Sequence, residues 1–324
     1  MHTPSFPVLQ SAHRTRPVPL WRPVSAVLAV ACLATLAGCA GPALQATPSP
    51  STQAAAVVPA AAWPERLQQW LPADVLLLGE QHDAPDHQRL QREAVAWLAS
   101  RGQLAALVME MAERGHSTQG LPRDASEAQV RAALQWDDAA WPWKAYGPVV
   151  MAAVGAGVPV LGGNLPRTRM RAAMADATLD QHLPAPALAE QQQAMRDGHC
   201  GLLPASQIAP MARIQIARDA SLAQTAQEAL QSGQTVLLVA GNGHVLRHLG
   251  VPTHWPASLV SKVVVAQVEH APAAIKSGAQ ADAVVQTPAL PPRDVCAELR
   301  EQWRSAPPGQ KVQKTDLLIR HEST

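Results

Sequence analysis

The chain has 324 residues, of which 47% are apolar and 3% aromatic, and its formal net charge at pH 7 is +1. This length allows one large domain or two small ones, whose core must be built mainly from alanine, valine and leucine. The near-neutral charge gives no electrostatic case for nucleic-acid binding, so we expect no nucleic-acid partner.

The N-terminus reads as a targeting segment. Basic residues are followed by an apolar stretch at 24–37 that is too short to span a bilayer comfortably. This stretch ends in Leu36-Ala37-Gly38-Cys39, the small-residue pattern that a lipoprotein signal peptidase accepts. We therefore predict a signal peptide at 1–38 and acyl chains on Cys39 that anchor the protein in a membrane. An ordinary signal peptide that happens to contain a cysteine is the alternative.

The residues after the cysteine predict a location and a tether. Ala40 stands where an aspartate would favour the inner membrane, so the pattern favours a bacterial outer membrane, with the protein facing the periplasm. Residues 39–62 are rich in alanine, proline, serine and threonine and have no periodicity. This composition predicts a disordered tether between the membrane and a domain at 63–285.

The domain alternates short apolar runs with amphipathic stretches. This alternation predicts βαβ units and an α/β fold, with a mostly parallel sheet and helices on both faces. The helices between about 113 and 232 exceed what the crossovers need, so some are predicted to form a helical lid or subdomain. Residues 286–324 are predicted to be a C-terminal extension packing on the domain. The predicted strands lie at 75–79, 104–111, 158–162, 235–240 and 262–268, with edge strands at 283–285 and 317–320.

Two cysteines remain once Cys32 leaves with the signal peptide and Cys39 is lipidated. Cys200 and Cys296 form an even pair in an oxidising compartment. We predict a disulfide that joins the middle of the chain to its C-terminal part. Two separate buried thiols are the alternative.

Two predicted strands run into a glycine and then a histidine, in Gly79-Glu80-Gln81-His82 and Gly241-Asn242-Gly243-His244. Ligands bind beyond the carboxyl ends of parallel strands, so these segments suggest one shared polar site. Glu80 and His82 can act there as a base, as metal ligands or as a hydrogen-bonded pair. A role for this segment as a helix N-terminus is the structural alternative.

Two further charged segments are candidates for the same site. Glu110 follows the apolar run of residues 104–109 and predicts either a coupled acidic pair with Glu80 or an acid matched to an arginine. A buried Glu110 with a purely structural salt bridge is the alternative. Arg218 and Asp219 lie within a predicted helix at 206–232, where one of them could face the strand ends. Composition alone favours a solvated surface for this pair.

An aromatic cluster lies between residues 136 and 146. It holds Trp136, Trp141, Trp143 and Tyr146, the only tyrosine of the chain. Aromatic clusters pack against flat hydrophobic ligands, and a tyrosine phenolate is a known ligand of haem iron. The core of a tryptophan-rich subdomain is the alternative.

The order and spacing of these segments resemble the ChaN family of haem-binding, iron-regulated lipoproteins, which belongs to a wider group with the Tiki, TraB and erythromycin-esterase proteins. The resemblance covers most of residues 73–256. It rests on the following segments: Gly79-Glu80-Gln81-His82, Met109-Glu110, Trp143 to Pro148, Gly162 to Arg167, Ala217-Arg218-Asp219 and Gly241-Asn242-Gly243-His244.

The resemblance implies a haem-binding protein of the outer membrane involved in iron acquisition, rather than an enzyme. It implies haem as cofactor, a homodimer when haem is bound, and an outer-membrane haem receptor as a further partner. Haem iron in the family is held by a tyrosine, which makes Tyr146 the candidate ligand here. The family holds the haem propionates with a histidine and a lysine, for which His116 and Lys144 are the nearest residues.

The resemblance also leaves a second function open. Glu80, His82, Glu110, Arg218 and His244 match the polar constellation of the wider group, some of whose members are hydrolases. The alternative is therefore a metal-assisted or histidine- and glutamate-based hydrolase. A third possibility is an envelope interaction protein in which the polar cluster has no chemical role.

Overall fold

The computed structural model describes residues 55–60, 63–273, 275 and 278–305. The strands in this part of the chain are β1 (Ala56–Pro59), β2 (Val75–Glu80), β3 (Leu104–Glu113), β4 (Val160–Asn164), β5 (Thr235–Gly241), β6 (Ser261–Val268) and β7 (Ala283–Thr287). They form one parallel sheet in the order β1-β7-β6-β2-β5-β3-β4. The predicted α/β class is confirmed.

Helices cover both faces of this sheet. They are α1 (Trp63–Leu67), α2 (Pro85–Ser100), α3 (Glu127–Ala133), α4 (Trp143–Ala156), α5 (Arg167–Ala175), α6 (Ala185–Gly198), α7 (Ala205–Glu228), α8 (Asn242–Val245) and α9 (Val295–Ser305). Alternate residues of β2 point to opposite faces. Leu76 and Leu78 pack in the core that contains α2 and α4, whereas Leu77 packs in the core that contains part of α7.

The predicted helical subdomain corresponds to α5, α6 and the N-terminal half of α7. These helices share a small core separate from the two sheet cores, built around Met195, Ile208 and Met211 with Met174 against it. The range 113–232 also contains β4, which pairs in parallel with β3. The additional helices are therefore inserted around a strand of the main sheet.

The predicted tether is wrong at its C-terminal end. Ala56–Pro59 forms β1, which pairs in parallel with β7 at the edge of the sheet. Val58 is only 2% exposed, so this strand buries a side chain that the surrounding alanine and proline composition concealed. The domain therefore begins before residue 63. The predicted signal peptide and Cys39 lie outside the described residues.

The C-terminal prediction also needs correction. The predicted strand at 283–285 exists as β7, but it is internal, because β1 covers its outer side. The short helix that begins at Asn242 ends at Val245, and the Arg247 backbone N–H donates to the carbonyl of Gln280 at 3.1 Å. The predicted strand at 317–320 lies outside the described residues.

The predicted disulfide is present. Cys200, two residues after the end of α6, is bonded to Cys296 in α9, with Cα atoms 5.6 Å apart. The bond joins the C-terminal helix to the end of the helical subdomain, as the predicted disulfide requires.

A buried histidine joins α2 to β7. Because its pKa is lowered, we expect the protein to lose stability in acid. His87 Nδ1 accepts a hydrogen bond from the Gln81 backbone N–H, and Nε2 lies 3.0 Å from the Thr287 hydroxyl. Burial lowers the pKa of His87 to about 4, so the unfolded chain binds this proton more readily than the folded chain. Between pH 7 and pH 5 this group alone should remove about 2 kcal/mol of unfolding free energy.

Urea unfolding at the two pH values measures this effect. His87→Gln keeps a polar side chain but removes the titration, so the variant should lose less stability between pH 7 and pH 5 than the wild type does. An identical pH dependence in both proteins would rule out His87 as the source.

Candidate functional site

The carboxyl ends of β2, β3 and β5 bring the predicted polar residues to one edge of the sheet. Glu80 is the last residue of β2 and lies in register with Gly241, the last residue of β5. Glu110, in β3 on the other side of β5, accepts a hydrogen bond from the Gly241 backbone N–H at 2.8 Å. The site predicted from the two strand–glycine–histidine segments is therefore assembled by parallel pairing.

Gly79 allows the second of these segments to pack on the first. A side chain at this position would meet Val245 Cγ2 at 2.5 Å and Asn242 Oδ1 at 2.6 Å, both from α8. The short helix that carries His244 can lie against the end of β2 only because residue 79 has no Cβ.

Glu80 is the centre of the first half of the site. It is fully buried, and its Oε1 accepts from the Tyr146 hydroxyl at 2.6 Å and lies 2.5 Å from His82 Nδ1. Its Oε2 accepts from the side-chain amides of Gln88, at 2.9 Å, and of Gln91, both on α2. Every oxygen of this buried carboxylate is thus hydrogen-bonded, as an uncompensated charge there would be costly.

Glu110 is the centre of the second half. His244 Nε2 lies 3.5 Å from Glu110 Oε1, and His244 Nδ1 lies 2.6 Å from Asp219 Oδ1. His82 Nε2 lies 3.8 Å from Glu110 Oε2, so this imidazole stands between the two glutamates. Carboxylates and imidazoles therefore alternate from Tyr146 through the site to Asp219.

Charge pairing governs the protonation of this chain of groups. Burial opposes the charged form of His244, but Glu110 and Asp219 outweigh it and raise its pKa to about 9. Burial likewise acts against the Glu110 carboxylate, yet His244, His82 and Arg218 together lower its pKa. Burial raises the pKa of Asp219 to about 6, against the opposing effect of His244. At neutral pH, His244 is an imidazolium held between two carboxylates.

Composition favoured a solvated surface position for Arg218 and Asp219, and this prediction is wrong. Both residues are buried, at 5% and 2% exposure, on the side of α7 that faces the strand ends. Asp219 orients His244, and Arg218 contributes positive charge near Glu110. The sequence did not identify Asp219 as the partner of His244. The main indication that Asp219 belongs to the site was its position next to Arg218.

A cavity of about 680 Å³ opens beside Glu80, and we call it the α4 cavity. His82 and Tyr146 line it on the side of the polar site, and Trp141 packs edge-on to both rings, with centroids 4.8 and 5.9 Å away. The remaining walls come from α2, the residues around the start of α4, and α9. Trp143 and Tyr146 therefore belong to the sheet core, as the structural alternative predicted, whereas Trp141 and the Tyr146 side chain also line the cavity.

Four cations line the same cavity. Arg89 pairs with Asp86 and Glu93, and Arg293 pairs with Glu298. Arg92 and Lys144 are exposed, and neither forms an ion pair within the described ranges. Their charges are therefore available to an anionic group bound in the cavity.

The structure does not bring His116 to this place. His116 lines a different cavity, which also contains residues of β4 and α7, whereas Lys144 and Tyr146 line the α4 cavity. Gln88, Gln91 and Arg92 belong to the site but were missed. The signal for Gln88 and Gln91 was their place as polar residues on the buried face of α2, among Leu90 and Ala94, whereas Arg92 is exposed and gave no such signal.

The described residues meet neither the requirements of a metal site nor those of a membrane-spanning helix. No group of three or more histidine, cysteine, aspartate or glutamate side chains in this part of the chain is arranged to hold a metal ion. None of the helices within the described ranges has the length and apolarity needed to cross a membrane.

Comparison with known proteins places the chain in a family. A sequence profile described as "Haem-binding uptake, Tiki superfamily, ChaN" matches residues 66–254, more than half of the chain. The chain belongs to the ChaN family. The match includes every polar residue of the site from Glu80 to His244, and it ends before α9.

One solved structure supports the ChaN fold. A structure of Campylobacter jejuni ChaN, described as showing cofacial haem binding, matches with a TM-score of 0.54 and 22% identity, over 68% of this chain and 89% of that one. A Bacillus cereus protein matches with a TM-score of 0.35 and 12% identity, over 63% of this chain and 68% of that one. No curated protein sequence matches significantly.

Proposed function

We propose that this ChaN-family protein binds haem in the α4 cavity and serves haem or iron acquisition. The observation that carries the proposal is the cavity itself, whose volume of about 680 Å³ lies within the range of small-molecule sites. Membership of a haem-binding uptake family and the cofacial haem binding described for Campylobacter ChaN support haem as the ligand.

The residues present fit such a ligand. Trp141, Pro142, Pro148 and Leu299 offer flat or apolar surface for a macrocycle. Arg92 and Lys144 offer exposed positive charge for its carboxylates. We therefore propose Arg92 in place of His116 as the second propionate partner, because His116 lines another cavity.

Tyr146 is the residue that we propose as the iron ligand. When bound, haem supplies an iron centre that accepts a phenolate oxygen. Burial and the nearby Glu80 raise the pKa of Tyr146 above its usual range, so the free protein keeps the hydroxyl protonated. Glu80 Oε1, 2.6 Å from the Tyr146 hydroxyl, is placed to receive the proton when the phenolate forms, and His82 Nδ1 donates to the same carboxylate oxygen at 2.5 Å.

We propose that the protein works as a lipid-anchored component of the outer membrane, facing the periplasm. The Leu36-Ala37-Gly38-Cys39 segment supports the anchor, although it lies outside the described residues. A homodimer in the haem-bound state and exchange with an outer-membrane receptor complete the proposal, and the family resemblance supports both.

Removal of the two free cations tests the cavity as the haem site. Arg92→Ala combined with Lys144→Ala should raise the haem Kd roughly tenfold, because each exposed charge pair contributes up to about 1 kcal/mol. The Soret absorption band, followed during haem titration, measures the Kd. The effect should shrink as salt concentration increases.

Arg101→Ala is the matched control, since Arg101 is also an exposed arginine but is stacked on Trp97 at the end of α2, outside the cavity. Equal Kd values for the double variant, Arg101→Ala and the wild type would place the haem carboxylates elsewhere.

A hydrolase is the second candidate function. The observation in its favour is the buried series Glu80, His82, Glu110 and His244, in which the pKa values of the last three are shifted and His82 lines the α4 cavity. Turnover of ester, amide or peptide substrates by the purified protein, with and without divalent metal ions, would support it. Turnover that persists in Glu80→Gln would instead come from a contaminant.

A further inference from the structure

The last described helix, α9, is part of the cavity wall. Val295, Glu298, Leu299 and Gln302 line the α4 cavity, together with Arg293 just before the helix. Their spacing of three and four residues puts them on one face of α9. Leu299 is 6% exposed, so it is the apolar centre of that face.

This wall is not part of what identifies the family. The ChaN profile ends at residue 254, about forty residues before α9 starts at Val295. The polar site and Tyr146 lie inside the matched range, whereas Leu299 lies outside it. The family core and the added helix therefore contribute different walls to one cavity.

A covalent bond holds the added wall in place. Cys296 is adjacent to Val295 on α9, and its partner Cys200 is two residues from Gly198, which also lines the cavity. The two bonded residues are 96 positions apart in sequence. The disulfide thus joins two parts of the cavity lining that the chain order separates.

We propose that α9 is a disulfide-held wall of the haem site, in which Leu299 contacts the bound macrocycle and the Cys200–Cys296 bond keeps that contact in place. This inference rests on the proposed function. Its consequence is slow haem release, because the bound ligand is enclosed on the α9 side by the same chain that binds it.

Haem dissociation from the full chain into an excess of a haem-scavenging globin tests the inference. Leu299→Ala should increase the dissociation rate constant roughly tenfold, since it removes most of a buried leucine side chain from the contact. Leu299→Met should behave like the wild type, because it keeps the volume and the apolar character. Glu301→Ala, an exposed position on α9, is the control and should have no effect.

The double variant Cys200→Ser with Cys296→Ser should also release haem faster. Hydrogen exchange of residues 295–305 provides a readout that does not depend on haem absorption. Haem should slow exchange in this segment in the wild type, and less so in the double variant.

The outcomes separate this inference from the proposed function. Saturable haem binding by the wild type together with unchanged release from Leu299→Ala and unchanged exchange in α9 would overturn the role of α9 alone. A wild type that binds no haem would remove the proposed function and, with it, this inference.

Discussion

Replacement of Glu110 by alanine should lower the free energy of unfolding by about 3–5 kcal/mol, the cost of removing one partner from a buried ion pair. The loss follows because Glu110 is the main charge that raises the pKa of His244 against the effect of burial, so its removal leaves the buried His244 and Arg218 without that compensating carboxylate. The Gly241 backbone N–H would also lose its acceptor. Urea or thermal unfolding at pH 7 measures the change.

Glu228→Ala is the matched control. Glu228 pairs with Arg114 at 2.7 Å on the surface, with side chains 58% and 33% exposed, and its loss should cost less than about 1 kcal/mol. Equal losses for the two variants would mean that the Glu110 network is not a buried charge network in solution.

Tyr146→Phe should raise the haem Kd by at least roughly 100-fold, more than the loss of a group that only supports a metal ligand. The substitution removes the phenol oxygen and keeps the ring that packs against Trp141. Glu80 retains His82, Gln88 and Gln91 as partners, so the fold should lose only about 1–2 kcal/mol. Haem titration with circular dichroism as a folding check measures both effects.

His82→Gln is the comparison that identifies the ligand. His82 also lines the cavity, and no atom of the described residues forms a hydrogen bond with its buried Nε2. Unchanged binding by Tyr146→Phe, combined with loss of binding in His82→Gln, would transfer the ligand role from the tyrosine to the histidine.

The polar site could be predicted from sequence because local rules determine it. Apolar runs that end in glycine and a charged residue predict buried parallel strands, and parallel pairing then brings Glu80, Glu110 and His244 to one edge. The arrangement of Tyr146 was not predictable in this way. Its hydroxyl donates directly to Glu80, so the aromatic cluster and the polar site, which the sequence did not connect, are contiguous.

Residues that depend on long-range packing were the ones missed. The alanine- and proline-rich composition around Val58 does not predict a strand, so β1 was missed. Its partner β7 lies more than 200 residues away in the sequence. Gln88 and Gln91 look like ordinary polar positions of a surface helix until Glu80 is placed against them. The cavity wall formed by α9 depends on a disulfide whose existence was predictable but whose position beside the cavity was not.

The contact between Tyr146 and Glu80 also relates the two candidate functions. A buried carboxylate between a tyrosine hydroxyl and a histidine can accept the tyrosine proton during ligand binding, or it can act as a base. The same residues therefore fit either of the two candidate functions. The ligand that the α4 cavity binds, haem or a hydrolysable substrate, decides between the two functions.

Titration of the purified full chain with haem, followed at the Soret band, is the most direct test of the α4 cavity as a haem site. The account predicts saturation at one haem per chain, with an absorption band that changes position in Tyr146→Phe. A linear increase in absorption without saturation would contradict it. So would a saturable band with the same position and the same haem Kd in the wild type, in Tyr146→Phe and in the double variant Arg92→Ala with Lys144→Ala.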